Sequence, residues 1–391
     1  NYTDVYYSHT IDDASELMEA TASQSEIGRF RLRRGDVLIT KDSETPHDIA
    51  VPAHVARDFD DVLCGYHLAI LRPRSELHGR YLFYSLLTDL VGDQFSIGAN
   101  GITRFGLSQD VIKDALVPLP PLPTQRAIAS FLDRKTAKID TLIEKKRRLL
   151  DLLEEKRTAL ITRAVTRGLD PDVPMKDSGV EWIGEIPEHW EVADLRRIAR
   201  VVDCKHRTPR YVPDGYPLVS TTEVKPGTLD LSACTRFVDE EDYLDMTEGP
   251  RRPERGDIIY SRNASLGAAA LVETDVPFCM GQDVVLIRSV LASEFLTLQL
   301  NSPMVGSQVE AVGVGSTFSR INVSTIRELQ VVLPPKDEQE RIVGHLTPEI
   351  EGLRRIGDRA THAISLLQEY RTALISAAVT GKIDVRDKVP A

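Results

Sequence analysis

Three short stretches carry side chains suited to gripping a nucleic acid. Residues 196–210 read RRIARVVDCKHRTPR, six Lys/Arg and one His against one acid. Positive charge at that density neutralises phosphate, the main source of sequence-independent affinity. Lys205, His206, Arg207 and Thr208 lie just before Pro209, which puts them in a loop, and Arg210 follows. The second stretch is Ser261-Arg262-Asn263-Ala264-Ser265-Leu266-Gly267. Arg262 has the two-pronged geometry for guanine O6 and N7, and Asn263 the donor–acceptor pair for adenine N6 and N7. The third is GVGSTFSRIN at 313–322, with Ser316, Thr317, Ser319 and Arg320 as its polar contacts. Its small residues let the backbone approach phosphate closely. Each stretch also has a plainer reading: a solvated loop, a hairpin turn and a tight structural turn.

The groups that would do covalent chemistry are missing. No G-x-G-x-x-G follows a strand, so a nucleotide-binding half is unsupported. The Gly-Lys-Ser/Thr ending of a P-loop, G-x-S-x-G and H-E-x-x-H are absent. The Pro-Pro pairs, Pro120-Pro121 and Pro334-Pro335, each follow Leu rather than the Asn or Asp that adenine methyltransferases place there. Cys64, Cys204, Cys234 and Cys279 form no C-x-x-C pair, and Cys204-Lys205-His206 has no second ligand pair at zinc spacing. The expectation is no catalytic centre, no metal and no cofactor. Free cysteines, no apolar run of bilayer length and no signal-peptide pattern suit a cytoplasmic protein. The net charge of −11 argues against a generic nucleic-acid binder, unless acids such as Asp239-Glu240-Glu241-Asp242 are segregated from the basic stretches.

The elements that must position these stretches occur twice. Residues 117–133 (VPLPPLPTQRAIASFLD) and 331–347 (VVLPPKDEQERIVGHLT) share V-x-L-P-P-x-x-x-Q-x-x-I-x-x-x-L, 214 residues apart. RTALITRAVT at 157–166 and RTALISAAVT at 371–380 keep the same offset. Arg34-Gly35-Asp36-Val37-Leu38-Ile39 resembles Arg255-Gly256-Asp257-Ile258-Ile259-Tyr260 at an offset of 221. Thus the second basic stretch has a counterpart at 40–45 with Lys41, and the Gly-rich loop a counterpart at 98–108 with Arg104. Residues 175–220, opening MKDSGVEWIGEIPEHWEVADLRRI, have no counterpart before Asn1. Repeat alignment therefore predicts a first domain shortened by about 45 residues.

Each copy runs from short β-like segments through a helical stretch and a Gly-rich loop to Leu-Pro-Pro, then into a long helix. Ile139, Leu142, Lys146, Leu149, Leu153, Lys156 and Leu160 alternate by three and four, as do Leu353, Ile356, Ala360, Ala363, Leu367, Tyr370 and Leu374. That is a coiled-coil stripe. Since the stripe must be buried, the two helices are expected to pair antiparallel, with a globular domain at each end and a pseudo-two-fold axis between. The fold class is α+β, with domains at 1–123 and 175–337, helices at 124–168 and 338–380, and a tail at 381–391.

At this point the chain resembles one family, the specificity subunits of type I restriction-modification systems. VEWIGEIPEHW (180–190), the L-P-P-x-x-x-Q run and the RTALI-x-x-A-V-T helix end carry the resemblance, which covers nearly the whole chain. It implies two target-recognition domains, each reading half of a bipartite double-stranded DNA sequence. It also implies that the helices act as a spacer and dock two methyltransferase subunits, while restriction subunits complete the nuclease. S-adenosylmethionine, ATP and Mg would sit on those partners. In this family a loop like Lys205–Pro209 lies near DNA, and the C-terminal tail packs toward the first domain. The chain departs from the pattern in its shortened first domain. Two other readings remain: a coiled-coil scaffold without DNA readout, and a free-standing enzyme.

Overall fold

The computed structural model describes residues 1–12, 15–263, 267–313 and 320–385, with backbone alone at 312–313. The fold is α+β. The chain divides into unit 1, Asn1–Arg148 with Arg359–Ala391, and unit 2, Leu149–Asp358. Two helices pass through both units: a first long helix, Leu122–Arg167, and a second, Lys336–Val379. No described helix is long and apolar enough to cross a membrane.

In unit 1 the strands are β1 (Thr10–Ile11), β2 (Val37–Thr40), β3 (Asp42–Ser43), β4 (Pro52–Val55), β5 (Leu68–Leu71) and β6 (Phe105–Gly106). Four form a sheet ordered β1-β4-β2-β5, and β3 pairs with β6. All four residues of β2 are buried. Side chains alternate across a strand: Val37 and Ile39 join one apolar cluster, Leu38 the other. A sheet covered on both faces calls for a continuous apolar run, which explains Val-Leu-Ile. Helices α1 (Gly79–Leu86) and α2 (Asp89–Gly98) cover the first face.

In unit 2 we label β7 (Glu191–Asp194), β8 (Ala199–Asp203), β9 (Val224–Lys225), β10 (Gly227–Leu229), β11 (Ile258–Ser261), β12 (Ala269–Leu271), β13 (Val284–Ser289) and β14 (Gln330–Leu333). The labelled helices are α3 (Leu195–Ile198), α4 (Glu240–Met246), α5 (Ser293–Leu300) and α6 (Pro303–Gly313), and a further short helix spans Val323–Glu328. The main sheet is ordered β8-β13-β11-β12-β10-β9, and β14 pairs with β7. The alternation recurs: Ile258, Tyr260, Val285 and Ile287 face one cluster, Ile259, Val284 and Leu286 the other.

The repeated motifs have structural causes. In the Arg-Gly-Asp turns, Gly35 and Gly256 adopt φ of 88° and 90°, a region that favours glycine. Asp36 is 1% exposed and receives Arg72 Nε at 2.8 Å, and Asp257 receives Arg288 Nε at 3.0 Å. The glutamine after Leu-Pro-Pro is a clamp. Gln125 Oε1 accepts from the His78 N–H at 2.8 Å, at the start of α1, while its Nε2 donates to the carbonyls of Pro120 and Glu76. Gln339 does the same between Ala292 N–H and the Pro334 carbonyl. A second clamp, Gln94 on Leu116 and Gln308 on Gln330, also repeats.

Within unit 1, Ile128, Leu132, Ile139 and Ile143 of the first long helix share a cluster with Leu374, Ile375, Ala378 and Val379 of the second. Asp140 pairs with Arg371 at 2.9 Å, whereas the earlier Phe131 lines a groove with the later Ala377, so the segments run antiparallel. Within unit 2, Ile161, Ala164 and Val165 share a cluster with Ile342 and Leu346. The expected seam needs correction. Ile139, Leu353 and Leu374 are buried, and Leu153, Leu160 and Leu367 are half-buried, but Leu142, Leu149, Ile356 and Tyr370 are 38–55% exposed. In unit 1 the buried stripe follows 128, 132, 136, 139 and 143, steps that keep pace with 3.6 residues per turn. A heptad count drifts off that stripe. Ile383 and Val385 pack into the unit 1 cluster, while the rest of the expected tail, 386–391, lies outside the described residues.

Replacing Gln125 with Ala strands a buried N–H and two carbonyls. Chemical denaturation should show a loss of about 2–4 kcal/mol. A loss below about 1 kcal/mol would refute the clamp.

Candidate nucleic-acid interface

Unit 2 brings the three sequence stretches together. β8 ends at Asp203, β11 delivers Arg262, β13 begins beside Gln282-Asp283, and Arg320 precedes the helix at Val323–Glu328. Arg262 is the hub. It is 5% exposed; its Nη1 donates to Asp203 Oδ1 at 2.9 Å and its Nε to the Ile321 carbonyl at 3.1 Å. Its backbone N–H donates to the Asp283 carbonyl at 2.9 Å, and its carbonyl accepts from Ile321 N–H at 3.1 Å. Arg320 Nε lies 3.4 Å from Asp283 Oδ1, and its Nη2 donates to the Gln282 carbonyl. Gln282 Nε2 reaches back to Thr208 Oγ1 at 3.1 Å.

The basic loop is not an uncompensated phosphate cradle. Lys205 donates to Asp245 and lies 3.3 Å from Glu248 Oε2. Arg207 bridges Asp242 and Asp245, the latter at 2.8 Å. Arg210 Nη2 meets Asp239 Oδ2 at 2.7 Å, and its N–H donates to Asp242. All four acids lie on α4 or its flanks, and Asp242 and Asp245 are neighbours one turn apart on the helix. Lys205, first among several causes, holds the Asp245 carboxyl below the usual range, and Asp245 raises the Lys205 ammonium in turn. By sequence Asp239–Asp242 stands as an acid block apart from the basic stretches; the three-residue spacing of Asp239, Asp242 and Asp245 is the signal that it faces the basic loop. His206, Arg207, Arg210 and Arg320 keep 42–77% of their side chains exposed. Asn263 follows Arg262, and its carbonyl accepts from Ser261 Oγ. Ser316, Thr317 and Ser319, with 264–266, lie outside the described residues.

Asp203, Cys204 and His206 place donor atoms within 4.8 Å of one another. Those donors are committed: Asp203 holds Arg262 and His206, and the Cys204 thiol donates to the Gln282 carbonyl at 3.2 Å. Burial pushes that thiol up to about 12, far from the thiolate a nucleophilic step requires. The trio organises the loop.

In unit 1 the corresponding loops are joined by β3 and β6, with Asp42 opposite Gly106 and Ser43 opposite Phe105. The carbonyl of Lys41 accepts from Leu107 N–H at 2.9 Å, so Lys41 and Arg104 come from adjoining loops. Gly101 (φ 151°) is required there, since a Cβ would lie 1.9 Å from the Arg104 carbonyl oxygen. The aromatic side chains nearby were not foreseen. Tyr2 stacks on Tyr6, whose hydroxyl donates to Asp48 at 2.6 Å, and Tyr66 is 83% exposed beside His67. Burial and nearby Asp48 raise the Tyr2 hydroxyl, with Arg104 opposing.

Removing the Arg262 charge leaves Asp203 and the Ile321 carbonyl unpaired. Arg262→Met should destabilise unit 2 by about 3 kcal/mol in chemical denaturation. The exposed ion pair of Arg210 is worth less than about 1 kcal/mol, so Arg210→Met should leave stability nearly unchanged. Equal effects of the two substitutions would refute the hub.

Residues 15–151 and 187–354 match the family described as type I restriction modification DNA specificity domain. The chain is 22% identical over 341 residues to the Escherichia coli type I restriction enzyme EcoBI specificity subunit, covering 83% of this chain and 70% of the relative. It is 23% identical over 320 residues to the MjaVIII specificity subunit of Methanocaldococcus jannaschii, covering 78% and 71%. A solved structure described under assembly and conformational transition of the type I R-M system superposes with a TM-score of 0.69 at 16% identity, over 90% of this chain and 83% of that one. That likeness supports the fold. The family match spans most of the chain and falls on both copies of the repeat: this protein belongs to the type I restriction-modification DNA specificity family.

Proposed function

We propose that each unit reads one half of a bipartite DNA target. In unit 2 the reading surface is the convergent set of loops around Arg262; in unit 1 it is the joined loops of Lys41 and Arg104. The observation that carries this is the hub itself. A buried guanidinium fixes three loops far apart in sequence, leaving His206, Arg210 and Arg320 at the surface. Base readout demands that kind of rigid placement, with phosphate contacts setting the register. The carboxylates behind Lys205 and Arg207 lower attraction to arbitrary DNA and so favour discrimination over raw affinity.

The methyl-transfer and cleavage chemistry then belongs to two methyltransferase subunits and to restriction subunits, which bring S-adenosylmethionine, ATP and Mg. The exposed apolar residues of the long helices suit docking of the former: Leu142, Leu366 and Tyr370 in unit 1, and Leu149, Leu152 and Ile356 in unit 2. Each long helix is one uninterrupted element shared by both units, which suits a spacer between half-sites.

Methylome sequencing of cells carrying this chain with its methyltransferase tests the reading. His206→Ala with Arg320→Ala should change one half-site and leave the other. Four residues inserted within 137–156, about one helical turn, should change the unread spacer and neither half-site. A continuous motif, or a spacer that ignores the insertion, would contradict the proposal. Asp245→Asn removes one of the two carboxylates that Lys205 and Arg207 each face, so the complex should bind non-target DNA more tightly, with a salt dependence steeper by about one charge. Weaker non-target binding would count against the role given to α4.

A further inference from the structure

A cavity in unit 1 carries more positive charge than its own side chains balance. It is an open space of about 960 Å³ between the turn before β2, strand β4, the start of α1 and the first long helix. Arg34, Arg80, Arg126 and Arg371 line it, with Asp133 and Asp140 as its carboxylates. Both carboxylates are committed. Arg80 Nε donates to Asp133 Oδ1 at 2.7 Å, which also accepts from the Tyr84 hydroxyl, and Asp140 holds Arg371. Arg34 donates its backbone N–H to Asp58, but its guanidinium and that of Arg126 meet no acceptor among the described residues. Both residues are exposed.

Three imidazoles share the cavity. His9, His54 and His78 are each lowered below the ordinary histidine range, by burial first and by a guanidinium second: Arg371, Arg80 and Arg126 in turn. His54 is held down to about 4. The rings are therefore neutral at pH 7, in a field set by the arginines. His78 also has an unmet ring nitrogen. Its backbone N–H is bound to Gln125, but Nδ1 is buried without a partner. Buried polar atoms are seldom left so in folded proteins, and each calls for an explanation.

Unit 2 does not repeat the charge. Glu294 and Glu340 stand 214 residues after Arg80 and Arg126, and Ala292 stands 214 after His78. Arg255, the counterpart of Arg34, is paired with Asp275 at 2.8 Å. The corresponding face is open there too, since Glu294, Glu340 and Gly344 are exposed. The basic cavity is thus a property of the side chains of unit 1, not of the repeated fold.

We propose that this cavity binds a phosphate group, carried by a free diphosphate or nucleotide or by the DNA backbone, between Arg34, Arg126 and His78. Guanidinium groups fork onto phosphate oxygens with two parallel bonds, and charge makes those bonds strong. The His78 tautomer protonated at Nδ1 adds a third donor. Donors arriving from the turn before β2, the start of α1 and the first long helix suit a tetrahedral oxyanion, which accepts from several directions, better than a planar carboxylate. The volume is that of a small-molecule site. The cavity lies apart from the reading loop of unit 1: Arg34 precedes β2, whereas Lys41 follows it. The inference therefore does not rest on DNA reading.

Isothermal titration of sodium diphosphate into the full chain tests this, together with nitrogen NMR of the histidine-labelled protein. Saturable one-to-one binding is expected, with the His78 Nδ1 resonance moving as the site fills. Arg34→Gln with Arg126→Gln should weaken binding by about tenfold or more. Because both side chains are exposed and unpaired, the thermal midpoint should not change. Arg255→Gln, on the corresponding face of unit 2, should leave the affinity as it was. A non-target duplex that displaces the diphosphate assigns the site to backbone phosphate; a duplex that leaves it bound assigns the site to a free phosphate compound. Absence of saturation, full affinity in the double variant, or an unmoved His78 resonance at saturation would each overturn the proposal.

Discussion

Neither long helix can bury its apolar stripe without the other, and each unit contains half of both. Unit 1 has Ile128 to Ile143 from the first helix and Leu374 to Val379 from the second; unit 2 has Ile161 to Val165 and Ile342 to Leu346. The core of each unit is therefore built from segments more than 170 residues apart in sequence. The Leu-Pro-Pro breaks that start the helices are fixed by the same cores. Gln125 and Gln339, 0% and 3% exposed, tie each break to the N-terminus of a short helix, α1 in unit 1 and α5 in unit 2. This explains why the duplicated sequence keeps a constant offset from that short helix to the end of the long helix, while the regions before it drift.

On this frame a chain of net charge −11 holds a surface suited to an anionic partner. The acids do not oppose the basic loop at random. Four of them stand behind Lys205, Arg207 and Arg210, and Asp203 neutralises the buried guanidinium of Arg262. A loop ordered this way has few conformations to lose on binding a partner, which limits the entropy cost. It also leaves less uncompensated charge at the surface, which on the proposed reading shifts discrimination toward shape and base contacts.

Much of this was legible in the sequence, because period and offset are properties of the chain alone. The repeat, the long helices and the α+β alternation follow from V-x-L-P-P, from the apolar stripe, and from runs such as Asp257-Ile258-Ile259-Tyr260. The helix seam was less so. A heptad count assigns Leu142 and Tyr370 to it, but the buried stripe keeps to the 3.6-residue turn. Among the candidate contacts, Arg262 read as a base-gripping side chain and proved to be a buried strut, because burial depends on loops arriving from residues 203, 283 and 321. The pairing of the basic loop with α4 depended on helical phase, and so did the Tyr2–Tyr6 stack, an i, i+4 pair on the helix at Tyr2–Tyr7.

The account stands on the two-helix cores, and hydrogen exchange followed by mass spectrometry tests them most directly. Weakening unit 1 with Leu132→Ala should release protection together at 128–143 and 371–379, while 161–165 and 342–346 keep theirs. If instead the whole first long helix opens as one element and 371–379 stays protected, the cores are not shared between the helices and the account fails.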